Sequence, residues 1–485
     1  MIQKNSPYGS DHPLDIMSFQ SPQRIPTASL SITERLRQQI AVRRQAGTLR
    51  SLCVINNSSD KKEEFSIDKG KSLIDFASND YLGLAHCQQQ ASRVHEEYAR
   101  LILHDPSEKD RRALGATGSR LLSGDSDLVR QLEQWLAKLH NSNAALLCNS
   151  GYDANLSVLS SIPTQSDCVV YDELCHNSII MGLRMGRTTL KNMHAFRHND
   201  VNHLQEILDK IINEATPNGS DGGIFVVVES VYSMEGDIAP LQSICDLLLK
   251  PKFHPKTSLI VDEAHGLGVY GKTNITDLAL NYDELHTNKL SDEKFGGTGV
   301  LAALELEKHP SLLCAVFTFG KAAGCHGAVI VSQHQVVVDY LINYARPFIY
   351  STALPPHSII TIQCAYNTLI SEEGQARRMK VFTLVRLFRD SMFHHSEIHH
   401  LLLPSASPIQ SILVPSNHAC IKLAKLLKNN YQLDVYAIRS PTVPKGKERI
   451  RIILHSYNTR AHIRQLVRAL QKEISFVPPV LRSGL

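Results

Sequence analysis

The stretch Ala315-Val-Phe-Thr318-Phe-Gly-Lys321-Ala-Ala-Gly324-Cys-His-Gly327 reads as a buried strand that hands one lysine to a glycine-rich bend. The apolar run Leu312 to Phe319 leads into it, and a second run, Ala328 to Val331, leaves straight afterwards. Short apolar runs bounded by turn residues predict interior strands. A lysine at the end of such a strand loses solvation, which disfavours its ammonium form and frees an amine to attack a carbonyl. Small neighbours let a flat aldehyde ligand come close to the backbone. Taken alone, a lysine in a hairpin bend is usually a surface residue. Its meaning depends on what the rest of the chain brings beside it.

Further apolar runs precede this one: Ala144–Cys148, Cys168–Tyr171, Ile224–Val228 and Leu259–Val261, with Lys191–Phe196 a weaker member. Helix-length segments separate them, which predicts an α/β domain built on a mostly parallel, seven-stranded sheet. A second pattern follows Tyr344-Ala-Arg-Pro347, with strands near Ile409–Val414, Leu433–Ile438 and Ile450–Leu454. Helices at about 418–429 and 460–473 interleave with these, so a small C-terminal α+β domain is expected. The expected division is a mobile tail at 1–29, an N-terminal segment at 30–100, a large domain at 101–345 and a small domain at 346–485. A capping box, Ser31-Ile-Thr-Glu34, should open a helix. The hydrophilic stretch Thr273 to Lys308 reads as an insertion on the rim.

Composition limits the function. The chain has 485 residues, 43% apolar and 20% charged, which suits a globular protein of two or three domains. A net charge of +4 is too slight to argue for nucleic acid or an anionic membrane. The ten cysteines have no zinc-like spacing and read as reduced thiols, with no metal site expected. The paired histidines at 394–395 and 399–400 read as a solvated loop. No apolar run approaches a membrane span, and the first residues lack the apolar core of a signal peptide. A cytoplasmic setting is the expectation.

In open α/β sheets, ligands sit beyond the carboxyl ends of the strands, and here those ends are unusually polar. Asn149-Ser-Gly151-Tyr152 opens a helix after the first run, and its free backbone N–H groups form a natural phosphate cradle. Glu229-Ser-Val-Tyr-Ser233 follows another run, Asp262-Glu-Ala-His265 a third, and Thr318 with Lys321 a fourth. These residue types suit pyridoxal phosphate. A lysine takes the aldehyde, an aspartate stabilises the protonated ring nitrogen, and hydroxyl and helix N–H groups hold the phosphate. A competing pattern, Gly266-Leu-Gly-Val-Tyr-Gly271-Lys272-Thr273, matches the P-loop formula. A P-loop must leave its strand directly and open a helix, and this one does neither.

The motifs together resemble the α-oxoamine synthases, a family of the fold-type I pyridoxal-phosphate transferases. Those motifs are Ser78-Asn-Asp-Tyr-Leu-Gly-Leu84, Gly115-Ala-Thr-Gly-Ser-Arg120-Leu-Leu-Ser-Gly124, Asn149-Ser-Gly-Tyr152-Asp-Ala-Asn155 and His176. They continue with Val231-Tyr-Ser-Met-Glu-Gly-Asp237, Asp262-Glu-Ala-His-Gly266, Thr318-Phe-Gly-Lys321 and Ile438-Arg-Ser-Pro-Thr-Val-Pro444. The resemblance runs from about Arg43 to about Leu470, broken by insertions near 60–70 and 273–300. It implies that Lys321 carries the cofactor covalently and shuttles a proton. Asp262 would face the ring nitrogen, His265 and Ser233 the phenolic oxygen, and His176 the ring face. Gly151, Tyr152 and Thr318 would hold the phosphate, with Ser351 or Thr352 supplied by a partner subunit of a homodimer. Arg439 would grip the amino-acid carboxylate, while Arg50, Asn79 and Thr442 would complete the substrate side. Within the family the motifs are most similar to the branch that joins L-alanine to a pimeloyl thioester in biotin biosynthesis. Open alternatives are a sister synthase that takes glycine and another thioester, a catalytically silent partner subunit, and a nucleotide-binding protein. Ser440, where the family commonly has proline, and Ala323, where it often has a bulkier residue, bear on acyl-chain fit.

Overall fold

The computed structural model describes residues 31–50, 52, 73–103, 114–214, 222–271, 296–394, 398–414 and 416–474. The tail at 1–29 and the residues near 60–70 lie outside them, as do Lys272 and Thr273 of the P-loop pattern and His395. In chain order the strands are β1 (Ile74–Asp75), β2 (Ala144–Cys148), β3 (Cys168–Asp172), β4 (Met193–Phe196), β5 (Ile224–Glu229) and β6 (Thr257–Asp262). They continue as β7 (Leu312–Thr318), β8 (Ala328–Ser332), β9 (Ile409–Leu413), β10 (Leu433–Asp434), β11 (Tyr436–Ile438) and β12 (Arg449–Ile453).

Seven of these form one sheet in the order β2-β8-β7-β6-β5-β3-β4. Only β8 runs against the others, pairing antiparallel with β2 and β7. The remaining six strands therefore end at one edge, at Cys148, Asp172, Phe196, Glu229, Asp262 and Thr318. Side chains alternate across the sheet, as a pleated strand requires. Leu146, Val169, Val227, Ile260 and Val316 belong to one buried cluster, with Val158 and Leu183 of the helices Gly151–Ser161 and Asn177–Met185. Leu147, Val170, Val226, Val261 and Phe317 belong to the opposite one, with Leu136, Leu204 and Ile244 of three other helices. Both faces are thus covered by helices, the reason these strands read as near-continuous apolar runs.

The small C-terminal sheet has the order β11-β12-β9 and is antiparallel throughout. The single strand expected over 433–438 is two strands. Leu433–Asp434 pairs in parallel with β1, while Tyr436–Ile438 pairs with β12. The chain changes partner at Val435, which is itself buried. Every residue of β12 is buried, arginines included. Ile450 and Ile452 join the core with Leu466 and Leu470 of the helix Arg460–Ile474. Arg449 and Arg451 serve the loop after β5 instead: Arg449 Nη1 lies 2.5 Å from Glu235 Oε1, and Arg451 Nε donates to the Ser233 carbonyl at 2.6 Å.

The expected capping box at Ser31 is present and opens the helix Ile32–Gln45. The insertion expected over 273–308 needs correction at its end. Val300, Leu301 and Ala302 are buried, and the Glu263 carboxylate accepts the backbone N–H groups of Val300 and Leu301. That stretch is core tied to the end of β6; the apolar residues within a polar neighbourhood concealed it.

One ionic junction locks the strand ends. His198 donates from Nδ1 to Asp172 at 3.0 Å and from Nε2 to Asp237 at 2.8 Å, beneath the edge of the Tyr232 ring. With two acceptors it must carry both ring protons. Burial lowers its proton affinity, but hydrogen bonds and charge from the two aspartates outweigh that and raise the pKa to about 10. A raised folded-state pKa gives stability that is complete below the unfolded value and lost as pH climbs through the folded one. We therefore expect the urea midpoint to fall between pH 7 and 10 through this junction. His198→Ala should cost ~3–5 kcal/mol at pH 7, by leaving two carboxylates without a cation, and should flatten that pH dependence. An unchanged midpoint in the variant at pH 7 would contradict the assignment.

Candidate active site

The shared carboxyl edge of β2, β3, β5, β6 and β7 encloses a cavity of about 260 Å3. From β2 come Gly151 and Tyr152 at the start of a helix, with Asn155 one turn along on the same face. His176 and Ser178 follow β3, and Glu229 ends β5. Asp262 ends β6, with Ala264 and His265 just beyond. Thr318 ends β7, and Lys321 lies in the bend before β8 with His326 and Gly327. Gly324 and Gly327 take φ of +62° and +111°, values that favour glycine and let the bend close.

Lys321 is an amine in waiting. Burial lowers its pKa, Asp262 and Glu229 oppose this, Arg451 reinforces it, and the balance is about 8. An ordinary lysine would be almost wholly charged near neutrality, whereas this one supplies an appreciable share of nucleophile.

Asp262 is fixed by two donors, Asn155 Nδ2 at 2.7 Å on Oδ2 and the Ala264 backbone N–H at 2.9 Å on Oδ1. The same Asn155 amide nitrogen donates to Ser178 Oγ at 2.9 Å, which leaves the serine proton for His176 Nδ1 at 2.8 Å. The Ser178 backbone N–H also points at His176 Nδ1, so the free Nε2 carries the ring proton. Burial, followed by the charge of Lys321, lowers the His176 pKa and keeps the ring neutral. A second chain reaches His265. Arg451 can only donate, so Tyr81 accepts from it and passes its own proton to His265 Nδ1 at 2.6 Å. His265 is therefore also an Nε2–H tautomer, and burial drives its pKa well below the usual value.

Seven residues expected from the sequence line the cavity together: Gly151, Tyr152, His176, Asp262, His265, Thr318 and Lys321. Six others are not among the residues that line it. The Ser233 carbonyl and Asn79 Oδ1 both accept from the Arg451 guanidinium. Thr352 is exposed, its carbonyl held by Asn149 Nδ2 at 2.9 Å. Arg439 donates to the carbonyl of Gly47, Thr442 is exposed just beyond it, and Arg50 is exposed three residues after Gly47. Asn155, Ser178, Glu229, Tyr81 and Arg451 were not singled out as site residues from the sequence. Asn155 could have been, since a helix opening at Gly151 presents position 155 on the same face.

These groups fit pyridoxal phosphate. A Cβ at Gly151 would collide with Thr318 Oγ1, so the helix N-terminus and that hydroxyl are pressed together as an anion cradle requires. The aspartate, the two neutral imidazoles and the low-pKa lysine share one cavity. The reactive form of Lys321 sets a pH signature. Capture of pyridoxal phosphate by the apoprotein should accelerate about tenfold per pH unit below about 8 and level off above it. Stopped-flow absorbance would measure this; a rate flat between pH 6 and 9 would contradict the lysine assignment.

The family model for aminotransferase class I and II matches residues 71–470. An 8-amino-7-oxononanoate synthase of Emericella nidulans is 34% identical over 411 residues, 82% of this chain and 89% of that protein. The enzyme so named in Marinobacter nauticus is 32% identical over 438 residues, 90% and 96% of the two chains. Among solved structures, a serine palmitoyltransferase of S. paucimobilis with bound pyridoxal phosphate and myriocin superposes with a TM-score of 0.73 at 23% identity, covering 92% of this chain and 99% of that one. At that identity the likeness concerns the fold. Sheet, cavity and relatives agree: the chain belongs to the aminotransferase class I and II family of fold-type I pyridoxal-phosphate enzymes, in its α-oxoamine synthase branch, and is a pyridoxal-phosphate-dependent acyltransferase.

Proposed function

We propose that the enzyme condenses L-alanine with a pimeloyl thioester to give 8-amino-7-oxononanoate, carbon dioxide and the free thiol, in biotin biosynthesis. The observation that carries this reading is the likeness, over nearly their whole length, to two enzymes named for that product. The motif Arg439-Ser-Pro-Thr442-Val-Pro444 supports the same branch.

Bound pyridoxal phosphate supplies an electron sink for the amino acid's α-carbon. The chain's own residues do the rest. Lys321 Nζ, uncharged in an appreciable share of molecules, accepts the α-proton and later returns one. Asp262, immobilised by Asn155 and Ala264, keeps a negative charge where positive charge must be stabilised. His176 and His265 offer Nε2–H donors without adding charge. The N–H groups of Gly151 and Tyr152, with Thr318 Oγ1, suit an anion. In this reading Arg439 binds the alanine carboxylate, since a planar, permanently charged fork matches it. Arg50 and Thr442 border the acyl route, and Ser233 acts toward the phenolic oxygen through its loop.

The working unit in this proposal is a homodimer in the cytoplasm with shared sites, to which a partner contributes Thr352. Tyr350, two residues before Thr352, is 81% exposed, in keeping with a position that meets another chain.

A panel of L-alanine, glycine and L-serine against acyl thioesters of increasing length, carried on coenzyme A and on a carrier protein, tests the reading. Alanine with the pimeloyl thioester should give the highest kcat/KM. Its advantage over glycine should be modest, since one methyl group in a pocket contributes ~1–3 kcal/mol. Preference for serine with a long acyl chain, or for glycine, would move the enzyme to a sister branch.

A further inference from the structure

Asp262 is not the only carboxyl at the cavity. Glu229 ends β5 beside it, and the two residues are register partners across the β5–β6 pair. Glu229 is 2% exposed and lines the cavity, and its Oε1 has no hydrogen-bond partner. Two carboxylates on neighbouring strand ends both feel the charge of Lys321. Such a pair keeps one anion and one acid, because like charges in a desolvated site do not both ionise. The hydrogen-bond donors decide which is which. Asp262 receives two, from Asn155 and Ala264, whereas among the described residues the His176 backbone N–H is the donor that faces the Glu229 carboxyl.

We propose that Glu229 is a neutral carboxylic acid of the active site whose O–H donates into the cavity, to an anionic oxygen of the bound cofactor or of the amino-acid carboxylate. Three observations agree. An unpartnered oxygen in a cavity wall takes its partner from whatever fills the cavity, and an unsatisfied buried group is otherwise costly. Burial, and next the charge of Asp262, raise the Glu229 pKa well above the ordinary range. A neutral Glu229 also withdraws one of the two charges that oppose the lowering of the Lys321 pKa, which favours the free amine further; Glu235 lies further along the same loop and is engaged by Arg449. The inference rests on the pyridoxal-phosphate site and not on which amino acid enters.

The test uses full-length protein with Glu229→Gln, the neutral isostere, and Glu229→Ala. Two equilibria are read: pyridoxal phosphate binding to the apoprotein by fluorescence, and L-alanine and glycine binding to the cofactor-loaded protein by its visible spectrum. Glu229→Ala should weaken at least one by about tenfold or more, the loss expected for a hydrogen bond to a charged oxygen. A cofactor-binding loss assigns the O–H to the cofactor, and an amino-acid-binding loss to the substrate carboxylate. Glu229→Gln should remain within about threefold of the parent in both. Should Glu229→Ala fail to fold, the infrared difference between the parent apoprotein and Glu229→Gln at neutral pH decides. A protonated-carboxyl C=O band present only in the parent supports the proposal, and its absence overturns it. Parent-like binding by Glu229→Ala, or a Glu229→Gln as weak as Glu229→Ala, also overturns it. A glycine preference would sink the alanine reading above and leave this inference standing.

Discussion

A lysine and an aspartate enclosed at the carboxyl edge of one sheet are the constraint on which the rest of the site depends. Removing charge from water is expensive, and the expense is tolerable only where each group has a defined neighbour. Asp262 has Asn155 and the Ala264 N–H; Lys321 faces Asp262 and Glu229 across the cavity. The remaining polar groups follow from that arrangement. Neutral tautomers of His176 and His265 avoid adding a positive charge beside Lys321, and hydrogen-bond chains through Ser178 and Tyr81 enforce them. The sheet makes the arrangement rigid. Parallel register places Glu229 opposite Asp262 and Asp262 opposite Val316, so the chemistry inherits its spacing from backbone hydrogen bonds.

The small sheet completes the site from outside. Arg449 and Arg451 point from a buried strand toward the loop after β5, and Ser411 Oγ donates to the Met234 carbonyl in the same loop at 2.7 Å. Arg451 also reaches Asn79 and, through Tyr81, the ring of His265. One guanidinium thus joins the segment after β1, the loop beyond β5 of the large sheet and the small sheet. A movement of the small sheet would be felt at His265 first.

Much of this was legible in the sequence, for a physical reason. Strands covered on both faces are apolar along their length, so the runs at 144, 168, 224, 259, 312 and 328 announced themselves, and the polar residues after them marked the ligand edge. Pattern reading failed where pairing partners decide. The run 433–438 is continuous in composition, yet Leu433–Asp434 and Tyr436–Ile438 serve different sheets. It also failed where a polar residue acts through another. Ser178 and Tyr81 orient groups that the motifs revealed, and their roles exist only in three dimensions. Arg449 and Arg451 did leave a signal: two arginines two apart in an otherwise apolar strand imply a shielded, charge-binding face. The P-loop look-alike at 266–271 shows the opposite hazard. Its Leu267, Val269 and Tyr270 are buried, and Gly268 turns with φ of +78° against Ala322, so the loop packs a core and is not laid out as a phosphate cradle.

The central claim is that Asp262 and Lys321 act as a pair on an amino acid's α-carbon. Exchange of the α-proton of L-alanine with deuterated solvent, followed by NMR in cofactor-loaded protein without any thioester, isolates that step. Asp262→Asn should retain the cofactor yet slow exchange on the order of 10²–10³-fold, the loss expected when one preorganised electrostatic partner is removed. Exchange within a few-fold of the parent would contradict the account.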